Sequence, residues 1–444
     1  MIPKRRLFLF VLMALPFFSI AQENSPYSRY GIGNLVPSGN IASRSMGGIG
    51  AGFTDPTIIN FLNPASYSSL TLTTFDVAAD FASRTIKSNN PPATFTSKNA
   101  IISYLQIGFP LLNINKISKK NLSWGLNFGL RPISRINYKI ESNTRNSIDS
   151  IQTTYEGSGG VNEAYVGTGI KISKGTGLQT KEYSFGINAG YAFGNKNYST
   201  RLVFNNDTIP YLKSNSATIT HFGGAFLQGG IQYRSFLKKG VVLIAGAYGK
   251  LQQTYNGSQD ILRETFTYNT QTGNPSRLDS VYDKKDISGK VVMPASFGVG
   301  FTIVKEHFLY GADFEMTNWD NYRFYGQKDA VKNNWMLKTG FQFNPRTTSS
   351  RKYWDFVKYR AGVYLGPDYI VADHNLPQYG VTLGGEFPLK RKITSYYETQ
   401  YSIMNIALDY GTRGNTTNSI RENIFHVSLG FTLSDSWFVR RKYQ

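Results

Sequence analysis

Few residues of this chain have the type and spacing that catalysis or metal binding requires. Its four histidines, His221, His307, His374 and His426, are scattered without ligand spacing. Cysteine is absent, which excludes disulfides and thiolate metal sites. No Gly-x-Ser-x-Gly elbow, phosphate loop, zinc motif or calcium loop occurs, and no Ser–His pair is singled out for hydrolysis. The chain reads as non-enzymatic, with no metal and no cofactor. What remains is a set of charged residues interleaved with large apolar ones. From Phe308 to Met316, Gly311, Asp313 and Glu315 share one face, opposite Tyr310 and Phe314. Arg131 falls on the equivalent face of another such run, and Arg135 follows it if the alternation survives Pro132. Arg360, Glu386 and Glu398 fall there by the same count. Opposite charges on such faces either pair across an enclosed space and pin what lies inside it, or contact a ligand.

The elements that carry these residues are strands. The clearest alternation is Leu122-Ser-Trp124-Gly-Leu126-Asn-Phe128-Gly-Leu130, and it recurs at Phe185 to Phe193, Phe297 to Ile303 and Phe425 to Leu433. A soluble sandwich buries its apolar faces between two sheets and turns charges outward. Here the second face is Ser, Gly, Asn and Thr. That suits a barrel with its bulky face in lipid and a partly filled lumen; glycine serving only barrel curvature is the alternative. Charges on lipid-facing positions would cost about 2–4 kcal/mol near the midplane, so the charged set belongs in the lumen. Mean hydropathy is −0.29 and no apolar run is long enough for a spanning helix.

Such segments number about fourteen, near 71–85, 99–111, 122–141, 151–173, 182–195, 217–236, 241–256, 290–304, 307–317, 334–344, 356–366, 377–388, 393–409 and 421–434. Short separators alternate with long ones at 86–98, 196–216, 254–289, 318–333, 367–376 and 410–420. The expected fold is all-β: a 14-stranded antiparallel transmembrane β-barrel of the outer membrane, with short turns and both termini in the periplasm. Trp124, Tyr138, Trp319, Trp335, Tyr396, Tyr397, Trp437 and Phe438 lie near strand ends, as interfacial girdles or core aromatics would.

Residues 1–21 read as a cleaved secretory signal, with Lys4, Arg5 and Arg6 before an apolar core and Ser19-Ile20-Ala21 after it. Residues 22–70 are rich in Gly, Ser and Pro, yet too apolar around Ile58, Ile59, Phe61 and Leu62 for a solvated tail. They are expected to form a compact N-terminal hatch in the lumen, with Tyr27, Arg29, Tyr30, Asn63 and Pro64 as contact residues. Residues 71–438 then make the barrel, and 439–444 a basic periplasmic tail.

The net charge is +20, concentrated at the short turns: Lys119 and Lys120, Lys238 and Lys239, and Lys390, Arg391 and Lys392. Lysine there serves solubility and edge protection, holds anionic headgroups, or docks an acidic partner. Nucleic acid is not an expected partner of an exported chain without a basic–aromatic motif.

Gly47-Gly48-Ile49-Gly50, then Asn63-Pro64-Ala65 before the first strand, resembles the N-terminal hatch of FadL-like outer-membrane transporters of long-chain fatty acids and aromatic hydrocarbons. Met293-Pro294-Ala295-Ser296-Phe297-Gly298 is similar to that family's Pro-then-Gly strand opening. Ser25 to Gly31, the hairpin from Arg360–Tyr364 to Tyr379–Thr382, Asp409-Tyr410-Gly411 and Trp437-Phe438 are similar to its Bacteroidota-type branch. The resemblance implies a 14-stranded barrel, in agreement with the strand count, and a lateral exit for apolar ligands at an inward strand kink. Pro132 or Gly157-Ser-Gly-Gly160 would supply such a bend. The first long loops, at Ser88–Pro92 and Asn205–Thr208, are polar and lack the apolar helices of a capture groove. The branch also contains ligand-free barrels that partner the very large type IX secretion translocon. Passage of a small apolar molecule is therefore the first expected function and a translocon subunit the second. Outer-membrane lipids surround the barrel in both.

Overall fold

A computed structural model describes residues 24–112, 121–145, 149–175, 177–205, 209, 211–237, 240–268, 271, 275–347, 350, 352–372, 374–389 and 401–435. The expected export signal, Lys119, Lys120, Lys238, Lys239, Lys390, Arg391, Lys392, Tyr396, Tyr397, Glu398, Trp437 and Phe438 lie outside the described residues.

Alternating bulky and small residues form long strands joined in sequence order. These are β1 Thr73–Asn89, β2 Pro92–Pro110, β3 Leu122–Arg145, β4 Ser150–Lys174, β5 Lys181–Phe204 and β6 Lys213–Phe236. Strand β7 runs Val241–Lys250 then Gln253–Tyr268, and β8 runs Pro275–Met293 then Ser296–Lys305. The remainder are β9 Phe308–Thr317, β10 Asn334–Phe343, β11 Lys358–Val371, β12 Asn375–Pro388, β13 Tyr401–Arg413 and β14 Ile420–Asp435. Sequence neighbours pair antiparallel, and β14 pairs β1 from Ile420↔Ser88 to Asp435↔Thr73. With each interrupted strand counted once, the sheet closes as a barrel of fourteen. The interruptions in β7 and β8 lie side by side, where Pro294 lacks the N–H a ladder needs.

Large apolar side chains such as Trp124, Phe128, Phe185, Phe297 and Leu429 are exposed, while Ser123, Asn127, Asn188, Thr302 and Ser428 are buried. That inverts a soluble core and defines a lipid belt around a polar lumen. Trp335 is exposed with the belt, but Tyr138 and Trp319 are buried inside, which removes them from any girdle.

The expected long loops are largely strand. Strands β1 and β2 extend through most of 86–98, β5 and β6 through much of 196–216, and β7 and β8 through most of 254–289. Beyond the belt both faces of a strand are polar, so the alternation that marks strands fades there. The 318–333 segment is mostly irregular and folds inward, burying Trp319, Tyr322 and Val331.

One seam of the wall is split. Strands β2 and β3 pair only from Leu105↔Leu130 to Pro110↔Gly125. Just past Leu130 the register of β3 on β4 shifts between Pro132 and Ser134. Opposite, Gly159 and Gly160 take φ of +136° and +139°, which side-chain-bearing residues rarely adopt. Proline and glycines thus bend the wall at one place. The alternation does not survive the bulge: Ser134, Ile136 and Tyr138 form the buried set, which leaves Arg135 off the inward face.

Leu383 lies mid-strand in β12 and is 55% exposed on the belt. Leu383→Arg is expected to destabilise the refolded barrel by about 2–4 kcal/mol in vesicle-based denaturant titration.

Candidate functional site: a polar lumen filled by the N-terminal segment

The N-terminal segment has little regular structure and makes its own turns from caps. Asn40 begins the short helix Ile41–Arg44, accepting from the Ser43 amide at 2.8 Å. Asn63 begins the turn Pro64–Ser69, accepting from the Ala65 amide at 3.1 Å, with Pro64 at the position that needs no N–H. Between them, Met46, Ile49, Ala51, Phe53, Ile59 and Tyr67 are buried.

The wall is small where this backbone passes. A Cβ on Gly246 would strike the Ala51 carbonyl, one on Gly362 the Met46–Gly47 peptide, and one on Gly186 the Pro64–Ala65 peptide. These inward glycines give the segment's backbone room to lie against the strands. Its polar groups then find partners on the wall. Thr382 accepts from the Gly47 amide at 2.8 Å, Thr302 donates to Gly52 O at 2.9 Å, and Gln228 donates to Leu62 O at 2.7 Å.

Charged residues complete the fastening. Asp313 accepts from the amides of Gly50 at 2.5 Å and Ala51 at 2.7 Å. Its neighbour Glu315 pairs with Lys338, which donates to Ser38 Oγ at 3.2 Å. Arg131 lies 3.0 Å from Glu163, whose other oxygen meets Lys250, and stands 4.9 Å from the centre of the Phe61 ring. Arg360 pairs with Glu386 at 2.6 Å, and Lys358 joins Glu386 at 2.9 Å to Asp55 of the segment at 3.2 Å. Burial pushes the Asp55 carboxyl up, but Lys358 and the Thr57 hydrogen bonds outweigh it and hold the carboxyl below its ordinary value. Arg44 of the segment pairs with Asp80 at 2.7 Å.

The tightest cluster surrounds Glu422. It accepts from Ser25 Oγ at 2.6 Å and pairs with Arg84 and, at 3.3 Å, with Arg413. Arg413 also reaches Asp368 at 2.8 Å and Asn34 Oδ1 at 2.8 Å, and its guanidinium lies 5.0 Å from the centre of the Tyr27 ring. Tyr27 donates to Ile420 O at 2.6 Å. Tyr30, half-buried, packs against the apolar cluster that includes Tyr27 and Ile32, while Arg29 is exposed and meets the wall through its carbonyl, which accepts from Tyr198 at 2.7 Å. Inward loop residue Asp329 accepts from the Gly31 amide at 2.9 Å, and Lys196 donates to Gly31 O at 2.9 Å.

The structure thus brings Tyr27, Asn63, Pro64, Arg131, Asp313, Glu315, Arg360 and Glu386 into the lumen around one segment. The sequence reasoning had not singled out Glu163, Lys250, Asp80, Arg84, Arg413 or Glu422. Glu163 and Glu422 lie on the inward count of their strands, so extending the alternation would have found them; their partners come from strands far away in sequence.

A cavity of about 240 Å³ remains between Asn34–Ser38 and the wall from β9 to β14. Glu315, Lys338, Asp368, Asp409, Arg413 and His426 line it. His426 Nδ1 is 3.3 Å from Asp409, to which Tyr364 donates at 3.1 Å. A pocket for an apolar ligand is lined mainly by apolar and aromatic groups. This one mixes the two: Leu35, Val36, Met336, Tyr364, Tyr369 and Ile424 share its lining with the ion-paired groups. Among the described residues no cluster of His, Asp and Glu is placed to hold a metal ion.

Fold and lumen together define a closed fourteen-stranded β-barrel of the outer-membrane kind whose interior is occupied by its own N-terminal segment. The chain belongs to the BamG family, whose model matches residues 1–444. No curated protein matches it. Among solved structures, the Pseudomonas putida toluene transporter TodX shares the fold, with a TM-score of 0.54 and 15% identity over 91% of this chain and 100% of that one. A deltaS2 mutant of the TodX monoaromatic hydrocarbon channel gives 0.51 and 14% over 93% and 100%. The CymD monoaromatic hydrocarbon channel gives 0.49 and 13% over 92% and 99%.

Glu422→Gln leaves two buried guanidiniums sharing less negative charge. It is expected to destabilise the folded barrel by about 3–5 kcal/mol in denaturant unfolding. An exposed control, Glu141→Gln, should change stability by less than about 1 kcal/mol.

Proposed function

We propose that this barrel is a closed, non-conducting subunit of a larger outer-membrane machine that handles polypeptides, the secretion-translocon class included. The observation that carries this reading is the polar, ion-paired lumen, fastened to the N-terminal segment on every side. Residues 22–70 act as a fixed plug, residues 71–438 as the barrel, and the signal before them is removed on export. The short-turn end, where Lys174, Lys181 and Lys305 gather and β14 ends, faces the periplasm, whereas Asn24, the first described residue, lies toward the tall end beside Lys139 and Ser97. The taller strands β1 to β8 then stand outside the cell.

Two further observations support it. The family is named BamG, not for a channel or transporter. The split between β2 and β3 starts at belt level, beside the exposed Ile102, Leu105 and Leu130, where Asn34–Val36 occupy it. It is left open only above the belt, where the outward residues are Thr94, Thr96 and Lys98 on β2, and Lys139, Glu141 and Arg145 on β3. An apolar ligand leaving there would meet charged side chains and water.

The second reading, passage of small hydrophobic molecules through hatch and lateral exit, is favoured by the fold shared with the toluene transporter TodX. It requires the segment to move, and removing one partner from a buried ion pair costs about 3–5 kcal/mol. Mild-detergent purification of the tagged protein from its own outer membrane separates the two readings. Recovery with a far larger barrel, an empty lumen by lipid mass spectrometry and no conductance in planar bilayers is expected. A lone barrel carrying fatty acid or aromatic hydrocarbon would contradict the subunit reading.

A further inference from the structure

The split seam is more than a bend in the wall. Its lower part is already occupied by extended backbone from the N-terminal segment. Val36 donates to Ile133 O at 3.0 Å, Asn34 and Leu35 pair with Arg135 and Ser134, and Ser25 donates to Asn137 O at 3.1 Å. Asn24 takes both the amide and the carbonyl of Lys139 with its side chain, at 3.1 and 3.0 Å, and reaches Ser97 Oγ across the gap at 3.4 Å. The β3 edge therefore accepts an added strand in this molecule, by main-chain hydrogen bonding.

Above Asn24 the slot continues between Pro92–Thr96 of β2 and Glu141–Arg145 of β3. From Pro92 to Ile101, β2 pairs with β1 without a register shift and carries one charge, Lys98. Phe95 there is 52% exposed, and Ile102 at the base of the slot is 67% exposed. The other long edge of the molecule is built differently. The upper part of β8 shifts register three times against β7 and carries Asp283, Lys284, Lys285 and Asp286. Bulges and charges are how an edge is kept from pairing. The β8 edge is guarded and the β2 edge is not.

We propose that the slot between β2 and β3 docks an extended segment of the partner machine. That segment adds a strand to the β2 edge from Pro92 to Thr96, directly above Asn24 and the rest of the N-terminal segment. It turns apolar side chains inward to cover Phe95 and polar ones outward beside Thr94 and Thr96, with Lys98 at its lower end. The occupant is polypeptide and not lipid, because the slot stands above the apolar belt and its lower part is already filled by main chain. This inference rests on the subunit reading and gives it a site.

The chain has no cysteine, so single-cysteine probes are clean. Thr94→Cys, Thr96→Cys and Lys98→Cys share one face of β2, and Ser280→Cys sits on the guarded β8 edge as control. Each is labelled with a thiol-reactive photo-crosslinker in native outer membranes, checked for the heat-modifiable folded form, and mapped by mass spectrometry. The slot probes are expected to reach residues two apart along one contiguous partner segment, a spacing only a paired strand gives, with that crosslink lost at Ser280→Cys. A partner that co-purifies while the slot probes attach only to lipid, or yields no better than the control, overturns the slot and leaves the subunit reading standing. Failure to recover any partner overturns both.

Discussion

A fourteen-stranded barrel encloses more space than its wall can fill. Roughly eight strands leave an interior that side chains alone can pack, and larger barrels must hold water or a plug. Every other feature of this chain follows from which of those it uses. The N-terminal segment lies in the lumen, and because it has few regular hydrogen bonds of its own, the wall must satisfy its backbone. Inward glycines let that backbone approach, and inward Thr, Gln and Asp supply the partners.

Charge settles how firmly the segment is held. Carboxylates and guanidiniums on the inward face come from strands remote in sequence and meet around Glu422, Glu163 and Glu386. Isolated, each would be expensive in an enclosed lumen; paired and hydrogen-bonded, each becomes a fixed point that penalises movement of the segment. Such pairs do not add much stability over well-packed apolar residues. Their effect here is to specify one arrangement of plug and wall, which a barrel built to pass apolar molecules would have reason to avoid.

Strand identity was legible in the sequence wherever lipid touches one face, as at Leu122–Leu130 and Phe425–Leu433, because period-two alternation records that boundary. It was illegible from 254 to 289, where water bathes both faces and the strands continue as a polar hairpin. Inward placement of Asp313, Glu315, Arg131, Arg360 and Glu386 could be counted from neighbouring apolar residues. Their partners could not, since register across the barrel decides whether Arg360 meets Glu386 or another carboxylate. Pro132 and Gly157–Gly160 were readable as bend-formers, but that they act opposite one another, and that the chain's own Asn24–Val36 fills the gap they open, needed three dimensions.

The central claim is that the plug is part of the folded barrel's core. Hydrogen–deuterium exchange of the intact protein in membranes tests it most directly. The amides of Gly47, Gly50 and Ala51 should exchange as slowly as those in the middle of β4 and β5, because opening them requires breaking the bonds to Thr382 and Asp313. Exchange of those three amides at loop-like rates, with the barrel strands still protected, would mean the segment leaves the lumen readily and would contradict the account.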